Sequence, residues 1–347
     1  MMWQATLRDL QWRRRRFLIA IVGTALVFAT SLLMSGLAAS VTLETDRALD
    51  TIGADVWVVQ EGASGPFTAF SPIPATDADR VASVPGITRA DPIIYVHQTI
   101  GDVPTDINLF GVVRGGIGEP AVKHGRQLAG PGEAIADSSL GVDVGDRISM
   151  GGQDWNIVGV SDRMTINGGI STVFIGLDDA QALLRLGPIA SAVVATGAPT
   201  GSVDGLRFMT QAEAKTDILR PLQNVAQSIN FVKVLLWVVA ACIIGSIVYL
   251  SAMERTRDFA VFKATGTSNG ALAGGLAIQA VILSVAAALL AAILATLIAP
   301  VFPLPVEIPT SAYLLLFAIA IIVGLLASLA GLRRAVKVEP ALAFGGP

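Results

Sequence analysis

Four stretches of this chain contain no Asp, Glu, Lys or Arg: residues 17–43, 234–253, 264–306 and 308–332. A soluble domain needs charge spread over its surface, whereas a helix crossing ~30 Å of hydrocarbon needs about 20 predominantly apolar residues and tolerates few charges. The runs therefore constrain the chain to a multi-pass membrane protein. Composition agrees: 53% of the 347 residues are hydrophobic and 15% charged, against about 25% charged in soluble domains. The net charge of −3 comes without a long basic tract, so there is no electrostatic footprint for nucleic acid.

The first run follows Arg13, Arg14, Arg15 and Arg16, as the apolar core of a signal peptide would, and Arg14-Arg15 before Phe17-Leu18 looks like a twin-arginine signal. Its extent, 17–43, exceeds the roughly 7–15-residue core of a cleaved signal, so a retained first span is expected. The second span is read as 234–253. The run 264–306 is too long for one helix and is broken by Pro300, Pro303 and Pro305, which places a third span at 271–299 and a fourth at 312–332. The single cysteine, Cys242, permits no intrachain disulfide and reads as a buried packing residue.

Lys and Arg near the span ends set the orientation. Residues 1–16 hold five (Arg8 and Arg13 to Arg16), 254–270 hold three (Arg255, Arg257, Lys263), 333–347 hold three (Arg333, Arg334, Lys337), and 300–311 hold none. Both termini and residues 254–270 are thus expected in the cytoplasm, with 300–311 as an external loop. Residues 44–233 lie outside with 13 basic and 22 acidic side chains, a balance of −9; the cytoplasmic pieces, with 11 basic and four acidic, carry +7, and Glu307 completes −3.

Apolar runs such as Val56-Trp57-Val58-Val59, Ile93-Ile94-Tyr95-Val96 and Asn156-Ile157-Val158-Gly159-Val160, bounded by Gly, Pro and Asp, predict short strands, with helices over Ala78–Ser83 and Ala180–Leu186. Residues 44–209 therefore read as an α+β domain. The segment from Gly141 to Trp155 reads as a β-rich module with Gly turns; its Asp residues lack the spacing and terminal Glu of an EF-hand. His97 and His124, without a cysteine partner, are weak metal candidates, and Asp178-Asp179 suits a helix N-terminus better than an acid/base pair. Residues 210–233 are helical in character and would form a stalk into the second span, with Pro221 kinking or restarting the helix.

Residues 254–270 carry the most specific pattern. Phe259, Phe262 and Ala260/Ala264 can share an apolar side at helical spacing, Glu254, Arg255, Arg257, Asp258 and Lys263 supply polar contacts, Gly266 can stop the helix and Ser268-Asn269 can cap the next. Periodicity leaves two readings open: a lever for a cytoplasmic partner, or a charged turn lying at the headgroups.

Glu-Arg-x-Arg-Asp-Phe-x-Val-Phe-Lys-Ala-x-Gly-x-Ser, from Glu254 to Ser268, closely resembles the coupling segment of the FtsX/MacB-type permeases, membrane subunits of mechanotransmission (type VII) ABC transporters. The likeness extends over the chain and is nearest to actinobacterial and DevC-like permeases. Leu7-Arg8-Asp9-Leu10 resembles the family's interfacial helix. Gly125-Arg126, Glu133 to Gly141 and Val144-Gly145-Asp146-Arg147 resemble its external-domain motif, and Val338-Glu339-Pro340-Ala341-Leu342 its C-terminal ending. The resemblance implies a membrane all-α bundle of four transmembrane helices plus an extracytoplasmic α+β domain inserted between helices 1 and 2. It makes Glu254, Arg255, Arg257, Asp258, Phe259, Phe262, Lys263 and Gly266 the ATPase-coupling residues. No Gly-x-x-x-x-Gly-Lys-[Ser/Thr] occurs in the sequence, so ATP and Mg²⁺ are expected at a separate ABC ATPase, present in two copies, and no cofactor on this chain. Two permeases, as a homodimer or heterodimer, are implied, in contact with membrane lipid and open to a periplasmic or envelope partner.

The spans carry no ionisable residue of the kind ion-coupled carriers place at mid-membrane. Small residues recur at four-residue spacing instead (Gly266, Gly270, Gly274; Ala287, Ala291, Ala295; Gly324, Ser328), which permits close helix packing. The leading functional expectation is export or extraction of a lipid-like, peptide or hydrophobic substrate. The alternatives are a non-transporting relay to an envelope hydrolase or uptake of a small polar solute such as an amino acid.

Overall fold

The computed structural model describes residues 14–69, 71–101, 104–302 and 306–336, the last five of these by backbone alone. Leu7-Arg8-Asp9-Leu10 and Val338-Glu339-Pro340-Ala341-Leu342 lie outside the described residues.

Helix α1 (Arg14–Ile52) is followed by strands β1 (Val56–Gln60) and β2 (Ile73–Pro74), helix α2 (Asp77–Ala82), and strands β3 (Ile87–Ile100), β4 (Thr105–Val112), β5 (His124–Gly125), β6 (Glu133–Asp137), β7 (Arg147–Met150), β8 (Gln153–Ser161), β9 (Thr165–Ile166) and β10 (Ile170–Gly176). Then come helix α3 (Leu177–Leu184), strands β11 (Ile189–Ala190), β12 (Ala192–Gly197) and β13 (Leu206–Thr210), and helices α4 (Gln211–Leu219), α5 (Gln223–Glu254), α6 (Thr256–Ala264), α7 (Asn269–Ile298) and α8 (Thr310–Val336). The chain divides into two compact units, residues 41–224 and the remainder.

The helical unit contains the apolar stretches, and among the described residues four helices are long and apolar enough to cross a membrane. Helices satisfy their backbone internally, which hydrocarbon demands. Small residues bring them together. Ala280, Ala287, Ala288, Ala291 and Ala295 on α7 are fully buried. A Cβ at Gly324 of α8 would meet Ser284 Oγ at 2.6 Å and Val281 Cα at 2.8 Å, and one at Gly245 of α5 would meet the Ala327 backbone of α8 at 3.6 Å. The series Gly266, Gly270, Gly274 behaves differently, since no other helix among the described residues comes within 4 Å of a Cβ built there. The outer face carries Leu289, Leu314 and Leu326, all more than half exposed. Cys242 belongs to that exposed set, contrary to the expectation that it is buried: lipid is as apolar as a protein core, so an apolar sequence context does not select the inside.

The inserted unit is built on an eleven-stranded mixed sheet with path β13-β1-β12-β3-β4-β10-β6-β8-β5, to which β7 adds through β8 and β9 through β10. β3 and β4 form an antiparallel hairpin with Tyr95 opposite Phe110, and β10 runs parallel to β4 with Phe174 opposite Phe110. Trp57, Phe67, Tyr95, Phe110 and Phe174 form a continuous aromatic row with ring centroids 4.9–5.3 Å apart. The three expected strands lie in β1, β3 and β8, and the expected short helices are α2 and α3. Gly151 and Gly152, both at positive φ, make the two-residue turn between β7 and β8 that a right-twisted hairpin requires. Asp178 and Asp179 fall in the first turn of α3, where Asp179 pairs with Arg114 at 2.5 Å.

The motif from Gly125 to Arg147 closes loops. Arg126 donates to both oxygens of Glu133, which also accepts from the N–H groups of Ala129 at 2.7 Å and Gly130 at 3.0 Å. Asp137, fully buried, accepts from Ser139 N and Oγ and from Met164 N. His97 lies 3.9 Å from Asp106, and no group of three potential metal ligands occurs among the described residues.

Two helical segments anchor this unit's core. Ala48, Leu49 and Ile52 of α1 are buried with Trp57, Ala214 and Ile218. Asp46 pairs with Lys215 at 2.5 Å and Asp50 accepts from Gln211 at 2.9 Å, a ladder one helical turn apart on α1 and on α4. Thr210 and Glu213 close a full capping box at the start of α4. The helix read over 210–233 restarts at Pro221, one of the two outcomes expected there: Arg220–Leu222 form a 3₁₀ turn between α4 and α5, because Pro221 has no N–H to donate and its ring crowds the preceding turn. α1, conversely, continues past residue 43 to Ile52.

Two outcomes are expected. Gly324→Ala should cost about 1–3 kcal/mol through overpacking, whereas Gly274→Ala should be neutral or stabilising by up to ~1 kcal/mol, as read by thermal unfolding in detergent. Arg126 first, then the Ala129 and Gly130 amides, hold Glu133 down at about 2, against about 4.3 for a free glutamate. Its stabilising effect is therefore full above the unfolded value and lost as pH falls through the folded one. The stability difference between wild type and Glu133→Gln should be constant above pH 5 and shrink towards pH 2.

Candidate functional site

α5 ends at Glu254 and α6 begins at Thr256, so the joint between them is the single residue Arg255, at φ −102° and ψ 17°. The chain stays hydrogen-bonded through it: Phe259 N donates to Arg255 O at 3.0 Å, and Thr256 Oγ1 donates to Met253 O at 2.6 Å. At the other end, Gly266 takes φ +90° and its N–H donates to Lys263 O, while Thr267 N donates back to Phe262 O at 2.9 Å. A left-handed residue there is inexpensive only for glycine. Ser268 Oγ then accepts from Ala271 N and caps α7. A stop and a start two residues apart fix where α6 lies in the chain.

The eight expected coupling residues divide by face. Phe259 is 2% exposed and Ala260 fully buried; both belong to the core of the helical unit, with Phe262 packed against it. Arg255 also turns inward: its side chain is 11% exposed, its guanidinium lies 5.5 Å from the Phe259 ring centroid, and its Nε is 3.7 Å from Asp258. That arrangement is a cation–π contact at a partly desolvated site. Lys263 is half-buried, while Arg257, Asp258 and Gly266 are exposed. Glu254 is engaged within the chain: Arg16 Nη1 donates to both of its carboxylate oxygens, at 3.0 and 3.1 Å.

Two participants were not singled out from the sequence. Val261 is 46% exposed on the side of α6 away from Phe259. With Arg257 before it and Ala264 after it, also exposed, it makes a stripe at four- and three-residue spacing. The 3.6-residue period could have found it, because Val261 falls opposite the Phe259/Phe262 side. Arg16 belonged to a basic run that only topology explained, and no short-range pattern links residues 238 positions apart.

An apolar bundle interrupted by a short amphipathic helix, with a large domain inserted after its first helix, defines a membrane subunit of the permease type. The comparisons specify which. Residues 17–214 match the MacB-like periplasmic core domain and residues 230–340 the FtsX-like permease C-terminal domain. Over 346 residues, 99% of either chain, the sequence is 44% identical to ABC transporter permeases of Mycobacterium bovis and Mycobacterium tuberculosis, and it is 41% identical over the same length to a second M. tuberculosis ABC transporter permease. The chain belongs to the MacB/FtsX-type ABC transporter permeases. Among solved structures, the extracellular domain of the ABC-type transporter YknZ from Gram-positive bacteria matches 45% of this chain and 99% of that one at 14% identity and TM-score 0.35. The periplasmic region of MacB from Actinobacillus actinomycetemcomitans matches 49% and 95% at 12% and 0.36. The family assignment rests on the domain matches and full-length relatives.

The division of α6 into a buried and a free face predicts unequal sensitivity to truncation. Phe259→Ala should destabilise the permease by about 3–5 kcal/mol, as loss of a buried aromatic does. Arg257→Ala should stay within about 0.5 kcal/mol. Unfolding of the purified protein in detergent reads both.

Proposed function

We propose that this permease converts ATP hydrolysis by a separate ABC ATPase into displacement of its inserted domain, for export or extraction of a lipid-like, peptide or hydrophobic substrate at the outer face of the bacterial plasma membrane. In this reading both termini and α6 face the cytoplasm, two permeases pair with two ATPases, and ATP and Mg²⁺ belong to the ATPase.

The observation that carries the reading is the two-sidedness of α6. One face, Phe259 and Ala260, is buried in the bundle core; the other presents Arg257, Val261 and Ala264, all exposed among the described residues. A helix anchored on one side and exposing Val261 and Ala264 beside charged Arg257 and Asp258 on the other, between two membrane helices, suits a partner that grips and displaces it, in the manner of helix-in-groove recognition. Charge at Arg257 and Asp258 would give that contact its specificity. Two features support onward transmission. α1 is an unbroken helix from Arg14 to Ile52, and its last turns are tied to α4 by the Asp46–Lys215 and Asp50–Gln211 contacts. A lipid-like or otherwise hydrophobic substrate is favoured because the spans hold no acidic or basic residue at mid-membrane to serve a polar solute.

Val261→Asp and Arg257→Glu, each in the full-length permease co-expressed with its ATPase, should reduce ATPase co-purification by about tenfold or more, the equivalent of ~1.4 kcal/mol of contact energy, while the permease stays folded in the membrane. Undiminished co-purification with both variants would overturn the assignment.

A further inference from the structure

The joint at Arg255 raises a mechanical difficulty that a second contact in the bundle resolves. A push on α6 reaches α5 through one non-helical residue, and a single-residue hinge, left to itself, absorbs displacement as a change of φ and ψ. α6 is held on its far side by Phe259 and Ala260. On the near side, the residue immediately before the joint is Glu254, and it is gripped by Arg16, two residues inside the start of α1. Arg16 Nη1 bridges both carboxylate oxygens and Nη2 lies 3.4 Å from Ile247 O, two turns back along α5. Phe17, the next residue, is 3% exposed in the same core as Phe259. The guanidinium therefore extends from a fixed helix along the last turns of α5 and ends at the joint.

We infer that Arg16 is a positioning residue that clasps Glu254 to α1, so that displacement of α6 moves the foot of α1 and is not lost in the α5–α6 joint. The inference rests on the coupling role of α6 proposed above. Glu254 then acts within the permease, as the second half of the clasp, and not on the ATPase. Stability is a poor explanation for the pair, because its side chains are 26% and 44% exposed and exposed ion pairs add little to folding. Geometry is the better one: a planar guanidinium with several donors in fixed directions sets the orientation of what it binds as well as its distance, and the pair joins parts of the chain 238 residues apart.

The test uses the full-length permease with its ATPase in proteoliposomes, in a Cys242→Ser background, with a bimane fluorophore on Leu26→Cys, an exposed position of α1. Trapping with ATP and vanadate should shift the bimane emission in the parent. The shift should be abolished in Arg16→Glu and in Glu254→Arg and restored in the double variant, with ATPase co-purification and trapped nucleotide the same in all four. Arg16→Gln, which removes the charge without reversing it, should also lose the shift and serves if the reversals fold poorly. A shift retained in the single variants would overturn the clasp while leaving the coupling role of α6 standing. Trapping or co-purification that falls in step with the shift would assign the pair to assembly and likewise overturn it. No shift in the parent, with ATPase bound and nucleotide trapped, would overturn the coupling reading and the clasp with it.

Discussion

Everything in the helical unit follows from the absence of water in the hydrocarbon layer. A backbone that cannot hydrogen-bond to solvent must be helical or closed upon itself, and helices in lipid gain no hydrophobic advantage from burying one apolar face instead of another. What remains to hold them together is close approach. α7 supplies it with five fully buried alanines, and α8 with Gly324 lying against Val281 and Ser284. Polar side chains buried in the bundle bond within a helix or between helices: Ser284 Oγ donates to the Val281 carbonyl one turn back, and Gln279 of α7 reaches Ser251 of α5 at 3.4 Å.

The same exclusion concentrates charge at helix ends. Arg16, Glu254, Arg255, Arg257, Asp258 and Lys263 occur within the first turn of α1, the end of α5, the joint after it and α6. Because they are crowded together they also bind one another, Arg16 to Glu254 and Arg255 to Asp258. A charged residue in this segment can thus serve the partner, the lipid headgroups or the fold. Burial decides among them: an inward guanidinium stacked on Phe259 orders α6, while an outward one at Arg257 is available to whatever approaches.

Much of this was legible in the sequence, for reasons that differ by residue. The spans were legible because charge is excluded from hydrocarbon without exception over tens of residues. The β7–β8 turn was legible because Gly151-Gly152 admits the positive φ that its hairpin requires. The motif around Arg126 and Glu133 is visible as a family likeness, but its purpose, a guanidinium and two amides closing a loop on one carboxylate, is set by contacts that only the fold creates. Cys242 is exposed despite its apolar neighbours, because apolar context means burial only in water. Gly266, Gly270 and Gly274 were grouped with the packing series by spacing, although Gly266 is a left-handed helix stop and no other helix approaches the other two. Glu254 and Arg16 could not be joined from sequence at all, since electrostatic partners have no period.

The distribution of joints sharpens what kind of motion the chain can support. α5 is interrupted at both ends, by the 3₁₀ turn around Pro221 before it and by Arg255 after it. α1 has no such break between Arg14 and Ile52, and its interior Thr and Ser hydroxyls, at Thr30, Ser35, Ser40 and Thr45, donate back to carbonyls of the preceding turn. Ser40 Oγ also accepts from Glu307 N at 2.7 Å, fastening the segment before α8 to α1. In the coupling reading proposed above, α1 is therefore the helix suited to carry an axial displacement, since it has no joint to dissipate it. Its polar attachments fall where such a role needs them, Glu254 at its foot and Lys215 and Gln211 along its last turns. A helix with Pro221 at one end suits the complementary role of following a movement instead of imposing it. The asymmetry between an unbroken helix and a jointed one is a property of the backbone, and it would survive any choice of substrate.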